Sequence, residues 1–516
     1  MLILKYFLRK NEIILNFQLL KLEFMRLLFT LLFVFVFFFG SRAQNGTPED
    51  YLSKAFHKER REALRAAMPA NSVAVFFANP IRNRANDVDY VYHQDPNFYY
   101  LTGYKEPHAV LVIFSEAQTI SEDKSYNEKL YVQQRNAQAE QWTGSRLGTK
   151  GAQTELGFDN AFNGSEFMAS GIEFLAFDKV MYEEFRDDYR DTRNEADLYD
   201  LIQSFKTQIK LVNTYTIENK TDDIEVDAYA NIEVETVKTD TRILSTLMAG
   251  LREIKTADEL VLLKKAVRIS AMGQREIMKA MHPGMSETEV QGVHEYIYKK
   301  YGSEYEGYPS IVGAGNNGCV LHYIENSKMK VENNLVLMDL GAEYRGYTAD
   351  VTRTIPANGK FSDAQKAIYD IVYDAQEAGI KVTVIGNSMQ SPDTAARAVI
   401  YQGLIDLGIA KNASDARQYF PHGTSHHIGL DVHDPGTYGE LQANMVITVE
   451  PGIYIPIGSD CDPKWHGIAV RIEDDILITE NGPINLSAEA PRTSAGIEKL
   501  MKKKSVLNGL ELPDLD

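Results

Sequence analysis

Leu335-Val336-Leu337-Met338-Asp339-Leu340-Gly341-Ala342-Glu343-Tyr344-Arg345-Gly346-Tyr347-Thr348-Ala349-Asp350-Val351-Thr352 reads as an apolar strand, a turn and a returning strand. The run 335–338 has the length and composition of a buried strand, and residues 341–346 hold the turn formers. A hairpin centred between Tyr344 and Arg345 sets Asp339 opposite Asp350. Two ionised carboxylates facing each other on adjacent strands repel unless a cation lies between them. Asp339 directly follows an apolar run, so it lies close to a core. That favours a metal over a pair of solvated surface acids.

Two more strands end in the same way. Met445-Val446-Ile447-Thr448-Val449 delivers Glu450, followed at once by Pro451-Gly452. In Ile468-Ala469-Val470-Arg471-Ile472-Glu473 the two-residue period puts Arg471 and Glu473 on one face and Ile468, Val470 and Ile472 on the core side. Four of the eleven histidines (His422, His426, His427 and His433) fall within residues 422–433, and His322 closes the glycine-rich segment 317–322. A lone carboxylate is ordinarily a surface residue and a lone histidine a structural one. Four carboxylates ending apolar strands beside such a histidine block make a site. One imidazole with four carboxylates is a hard, oxygen-rich set, suited to a pair of Mn2+, Zn2+, Co2+ or Fe2+ ions.

Outward from this stretch, helix signals surround the strands. Thr256-Ala257-Asp258-Glu259 is a capping-box pattern with helical apolar spacing through Met281, and His282-Pro283-Gly284 stops it. Ser286 and Ser362 cap two further helices, and 393–407 reads as a fourth. Helices on one side and hairpins on the other predict an α+β catalytic half over 258–500. Before it, Ser72-Val73-Ala74-Val75-Phe76-Phe77 and Ala109-Val110-Leu111-Val112-Ile113-Phe114 are buried strands alternating with polar helical stretches, so 44–225 is a smaller α/β domain. Residues 226–257 form the connection, its polar centre at 236–241, and 501–516 is a poorly ordered tail.

At 516 residues the chain has room for two domains and an export segment, and 44% apolar residues supply two cores. A net charge of −18 excludes a nucleic-acid footprint. Cys319 and Cys461 have no metal-type spacing; they read as small buried side chains, with a disulfide open but not required. Residues 1–43 read as a leader. Met25-Arg26 precedes a 13-residue apolar run, 27–39, and then Gly40-Ser41-Arg42-Ala43, a cleavage pattern before Gln44. The run is shorter than the roughly 20 residues of a membrane span. Export to the periplasm or medium is therefore expected, with Met25 as a possible start and an uncleaved membrane anchor as the alternative.

These residues together resemble the pita-bread metallopeptidases of family M24, whose ligand order of Asp, Asp, His, Glu, Glu falls here on Asp339, Asp350, His426, Glu450 and Glu473. Within that family, residues 308–323, 422–433, 450–454 and 471–475 are similar to the aminopeptidase P branch. So are 95–104 and 142–148 in the first half, an N-terminal domain that methionine aminopeptidases lack. The resemblance implies a pita-bread catalytic domain and cleavage of the N-terminal Xaa-Pro bond of peptides by a hydroxide bridging two divalent metals, with Mn2+ expected. Asp350 and Glu473 would bridge the ions, Asp339 would hold one, and His426 with Glu450 the other. Glu450 would also move protons. His433 and His322 would hydrogen-bond the scissile region, His422 would contact the leaving side, and Arg471 would orient Glu473. His427 would be a bystander. Substrate contacts are implied for Tyr454, Tyr99 and Arg146; Tyr99 stands where some relatives carry a tryptophan. A homodimer or homotetramer is expected. The rival readings are a prolidase restricted to Xaa-Pro dipeptides and a pita-bread protein that binds peptides without cutting them.

Overall fold

The computed structural model describes residues 48, 50–121, 124–185, 194–211 and 238–508; the expected leader 1–43, all of 212–237 and the residues beyond 508 lie outside them. The chain divides into a unit ending at Tyr51 and a second unit beginning at Leu52. All described helices and strands belong to the second.

Its first half is built on a six-stranded mixed sheet. Ser72–Phe77, rich in β-branched and aromatic residues, lies at the centre. It pairs antiparallel with Val110–Ser121, Val75 opposite Val112, and parallel with Lys179–Tyr182. The expected polar connection is partly a strand: Thr239–Asp240 adds to this sheet with Thr239 opposite Val180. Pairing at a sheet edge uses backbone groups, so a polar pair can serve. The rest of the connection holds the helix Ile243–Glu253, which buries Leu244 and Met248. These two share one core with Phe98 and Leu101 of the first half and Leu263, Tyr344 and Tyr347 of the second.

The second half follows its capping signals. Thr256 and Glu259 form the capping box of Ala257–Ala280, Ser286 caps Glu287–Lys300, and Ser362 with Gln365 caps Asp363–Lys381. The fourth helix is Ser391–Asp406, beginning two residues before its expected start because Pro392 suits a first turn. Inside these helices lie small antiparallel sheets, one of them Ile311–Ala314, Leu335–Asp339 and Thr352–Pro356. Val372 and Ile400 from the helices pack with Val336, Ile355 and Val470 from the strands. The strand faces turned away from this core carry the site.

Two expectations are corrected here. The hairpin turns one residue later, between Arg345 and Gly346: Tyr344 pairs with Tyr347, and Arg345 and Gly346 both have positive φ. A two-residue turn of this kind needs φ above zero at both central positions, and glycine meets that need at 346. Asp339 therefore pairs with Thr352, and Asp350 lies two residues before it in the bend between strands. The tail is also anchored as far as Asn508. The Ser505 hydroxyl and the Val506 N–H donate to Glu276 at 2.5 and 2.7 Å. Cys319 and Cys461 are free and part-buried, without a disulfide. Among the described residues no helix is long and apolar enough to cross a membrane.

Candidate metal centre

Each carboxylate reaches the site because a strand ends there. Asp339 is the last residue of Leu335–Asp339, Glu450 follows Val446–Val449, and Glu473 separates Ile468–Arg471 from Asp474–Thr479. Asp350 is held in its bend by its N–H, which donates to Asp475 Oδ2 at 3.1 Å. His426 is fixed by its own N–H, donating to Thr448 Oγ1 at 3.1 Å. With His426 Nδ1 placed 3.0 Å from the His427 carbonyl, that nitrogen donates and Nε2 is the one turned to the acids. Nε2 lies 3.3 Å from Glu450 Oε1 and 3.5 Å from Asp350 Oδ2.

Together these side chains floor a cleft of about 520 Å3 whose walls include His322, His422 and His433 and the apolar Leu321, Ile324 and Val432. One ligand atom each from Asp350, His426 and Glu473 lies within 4.8 Å of the others. The electrostatics suit cations. Burial, then the neighbouring Asp339, raises the Asp350 carboxyl to about 6, and burial with three nearby carboxylates raises Glu473 well above its usual range. Burial would lower His426, but Asp350 and Glu450 outweigh it and hold the imidazole well above its ordinary value. Burial opposes ionisation of Glu450, yet His426, His422 and Arg471 bring it down to about 2. Buried acids and an imidazole crowded until they retain protons fit a divalent-metal pair, whose charge would take the place of those protons.

Sequence reasoning missed Tyr308. Its hydroxyl lies 2.5 Å from Asp339 Oδ1 and 2.6 Å from Asp350 Oδ1, so one phenol spans both aspartates. Thr352 was missed too; its hydroxyl donates to Glu473 Oε2 at 2.6 Å. The expected role of Arg471 changes accordingly. Its guanidinium binds Asp339 Oδ2 at 2.5 Å and reaches Glu473 only through Thr352, with Nε 3.2 Å from the Thr352 hydroxyl. The long side chain crosses to a strand of another sheet, Leu335–Asp339, instead of lying along its own.

Tyr454 stands behind the cleft wall. Its hydroxyl accepts from Arg471 Nη1 at 2.9 Å and sits 2.7 Å from His422 Nε2. His433 packs edge-on to His426, ring centres 4.5 Å apart. His427 turns away, buried against Tyr438. Two expected substrate contacts are not brought to this cleft. The Tyr99 ring is buried against His57, its hydroxyl 3.3 Å from the Arg345 carbonyl. Arg146 lies in a separate hollow with His108 and Asn136, 3.4 Å from the Gln134 carbonyl.

Oxygen ligands delivered by antiparallel strand ends, one histidine and a histidine-walled cleft define a metal-dependent hydrolase. Residues 261–480 match the model of metallopeptidase family M24, and residues 57–179 match that of the aminopeptidase P N-terminal domain. The chain is 35% identical over 462 residues to an Xaa-Pro aminopeptidase of Escherichia coli K12, covering 87% of this chain and 98% of the relative. It superposes with a TM-score of 0.74 on aminopeptidase P from E. coli bound to the inhibitor Pro-Leu, at 34% identity, covering 87% and 98% of the two chains. A zinc-substituted E. coli aminopeptidase P with product matches at 0.73, with the same identity and coverage. The chain belongs to metallopeptidase family M24, in its aminopeptidase P branch, with the N-terminal domain and pita-bread catalytic domain of that fold.

Proposed function

We propose that this protein is an Xaa-Pro aminopeptidase, removing the residue in front of a proline at a peptide N-terminus. The observation that carries this reading is the convergence of Asp350, His426 and Glu473 on the floor of a histidine-lined cleft, in a chain of this family. Asp350 and Glu473 would be shared between two ions, with Asp339 completing one site and His426 and Glu450 the other. When bound, the pair supplies a water acidified toward neutrality and an electrophile for the peptide carbonyl. Glu450, ionised and beside His426, takes the proton of the attacking water and passes it to the proline nitrogen. His433 and His322 face the same space and donate hydrogen bonds to the developing oxyanion. Arg471 and Tyr454 hold His422 toward the leaving side. Proline supplies no N–H and fixes its φ, so the bond needs a dedicated pocket.

The same proposal takes Mn2+ as the metal, a homodimer or homotetramer as the assembly and export as the destination. The hard donor set supports the first, and the basic, apolar and small-residue pattern of residues 25–43 supports the last. The test is hydrolysis of a length series by metal-supplemented protein. Xaa-Pro-Pro and longer peptides should be cut; cleavage of the Xaa-Pro dipeptide alone would make the protein a prolidase, and peptide binding without cleavage a non-catalytic relative.

A further inference from the structure

His433 follows a loop whose shape is set by the next residue, Asp434. Asp434 is 1% exposed, and its two oxygens are taken by two buried cations: Arg252 on Oδ1, and Lys255 on Oδ2 at 2.8 Å. Lys255 also donates to the Arg252 carbonyl at 2.5 Å, so the cations are locked to each other. Burial would push the Asp434 carboxyl up, but Arg252 and Lys255 outweigh it and hold it below its ordinary value. The loop is closed on itself by the Asp434 N–H donating to the His427 carbonyl at 3.0 Å. Gly429 makes room for the clamp, since a Cβ there would lie 2.5 Å from Asp434 Oδ2 and 2.9 Å from Lys255 Nζ.

The clamp extends into the N-terminal domain. The second arm of the Arg252 fork donates to Asn97 Oδ1 at 2.7 Å, and Asn97 Nδ2 donates to Glu183 at 2.5 Å. Asn97 lies on the helix Pro96–Thr102, and Glu183 directly follows the strand Lys179–Tyr182 of the six-stranded sheet. Buried ion clusters are commonly no better for stability than apolar residues of the same volume. What a bidentate, fully buried arrangement supplies is direction. It anchors the residue beside His433 from both halves of the molecule.

We infer that Arg252, Lys255 and Asp434 are positioning residues for His433, and that Asn97 makes the N-terminal domain part of this device. The inference rests on the aminopeptidase reading, in which His433 touches the substrate. It is tested by a double-mutant cycle on the metal-loaded full chain with an Xaa-Pro-Pro substrate, pairing Asp434→Asn with His433→Ala. Asp434→Asn should lower kcat about 10- to 100-fold with KM nearly unchanged and bound metal unchanged. In the His433→Ala background the same substitution should cost almost nothing further. Because Asp434→Asn leaves two buried cations short of a counter-charge, the milder Asn97→Ala is run in the same cycle. It should give a smaller fall in kcat that also vanishes without His433. Effects that multiply, or a loss of metal in proportion to activity, overturn the proposal. Wild-type protein inactive on every Xaa-Pro peptide would instead overturn the peptidase reading and this proposal with it.

Discussion

Tyr308 has one hydroxyl hydrogen and two carboxylates within 2.6 Å. It can donate to only one aspartate, so it spaces and aims the pair but cannot neutralise it. Tyr308→Phe should weaken metal affinity about 10- to 100-fold, measured by calorimetric titration of metal-free protein, while the fold survives. Asp350→Ala removes a ligand outright and should abolish peptidase activity; full activity in that variant would contradict the two-metal reading. The ligands were legible because an acid that ends an apolar strand has no ordinary reason to be there. Tyr308 and Thr352 were not legible, because a neutral hydroxyl carries no sign of its partners until strands far apart in sequence are brought together. Arg471 was legible as a site residue but assigned the wrong carboxylate. Strand period gives the face of a side chain, not where a long guanidinium ends.

The hairpin 335–356 shows the same division for an element. Its strands and turn are readable from composition, while the turn centre lies one residue later and the partner of Asp339 two residues later, because the positive φ at both turn positions falls on Arg345 and Gly346. Gly341 closes this element against its neighbour. A Cβ at 341 would lie 2.0 Å from the Ala349 carbonyl oxygen and 2.6 Å from the Tyr308 ring. Gly341→Ala should therefore displace the bend that carries Asp350. The expected loss is about 1–3 kcal/mol in chemical denaturation, together with weaker metal binding. The helices were legible to within two residues, since their start signals are local hydrogen bonds between a cap and the third residue beyond it.

For the whole molecule, two halves with separate sequence signatures share a core through Leu244, Met248 and Leu263, a contact that periodicity cannot reveal. Its stability is tied to buried histidines. Burial lowers His57, His108 and His427 to about 4 and His294 to about 3. The unfolded chain takes up these protons near pH 6.5 and the folded chain does so only well below it. Their neutral state therefore costs nothing above pH 6.5, and folding stability falls as pH drops from there toward 4. Each histidine can contribute up to roughly 3 kcal/mol of that loss. Denaturant midpoints of metal-free protein should fall steeply across that window, and a flat profile would contradict these burials. The central claim is most directly tested by incubating chelator-stripped protein with an Xaa-Pro-Pro tripeptide, with and without added Mn2+. The account predicts release of the first residue and Pro-Pro only when metal is present, and none from Asp350→Ala. Equal cleavage without metal, or an intact tripeptide beside a hydrolysed Xaa-Pro dipeptide, would contradict it.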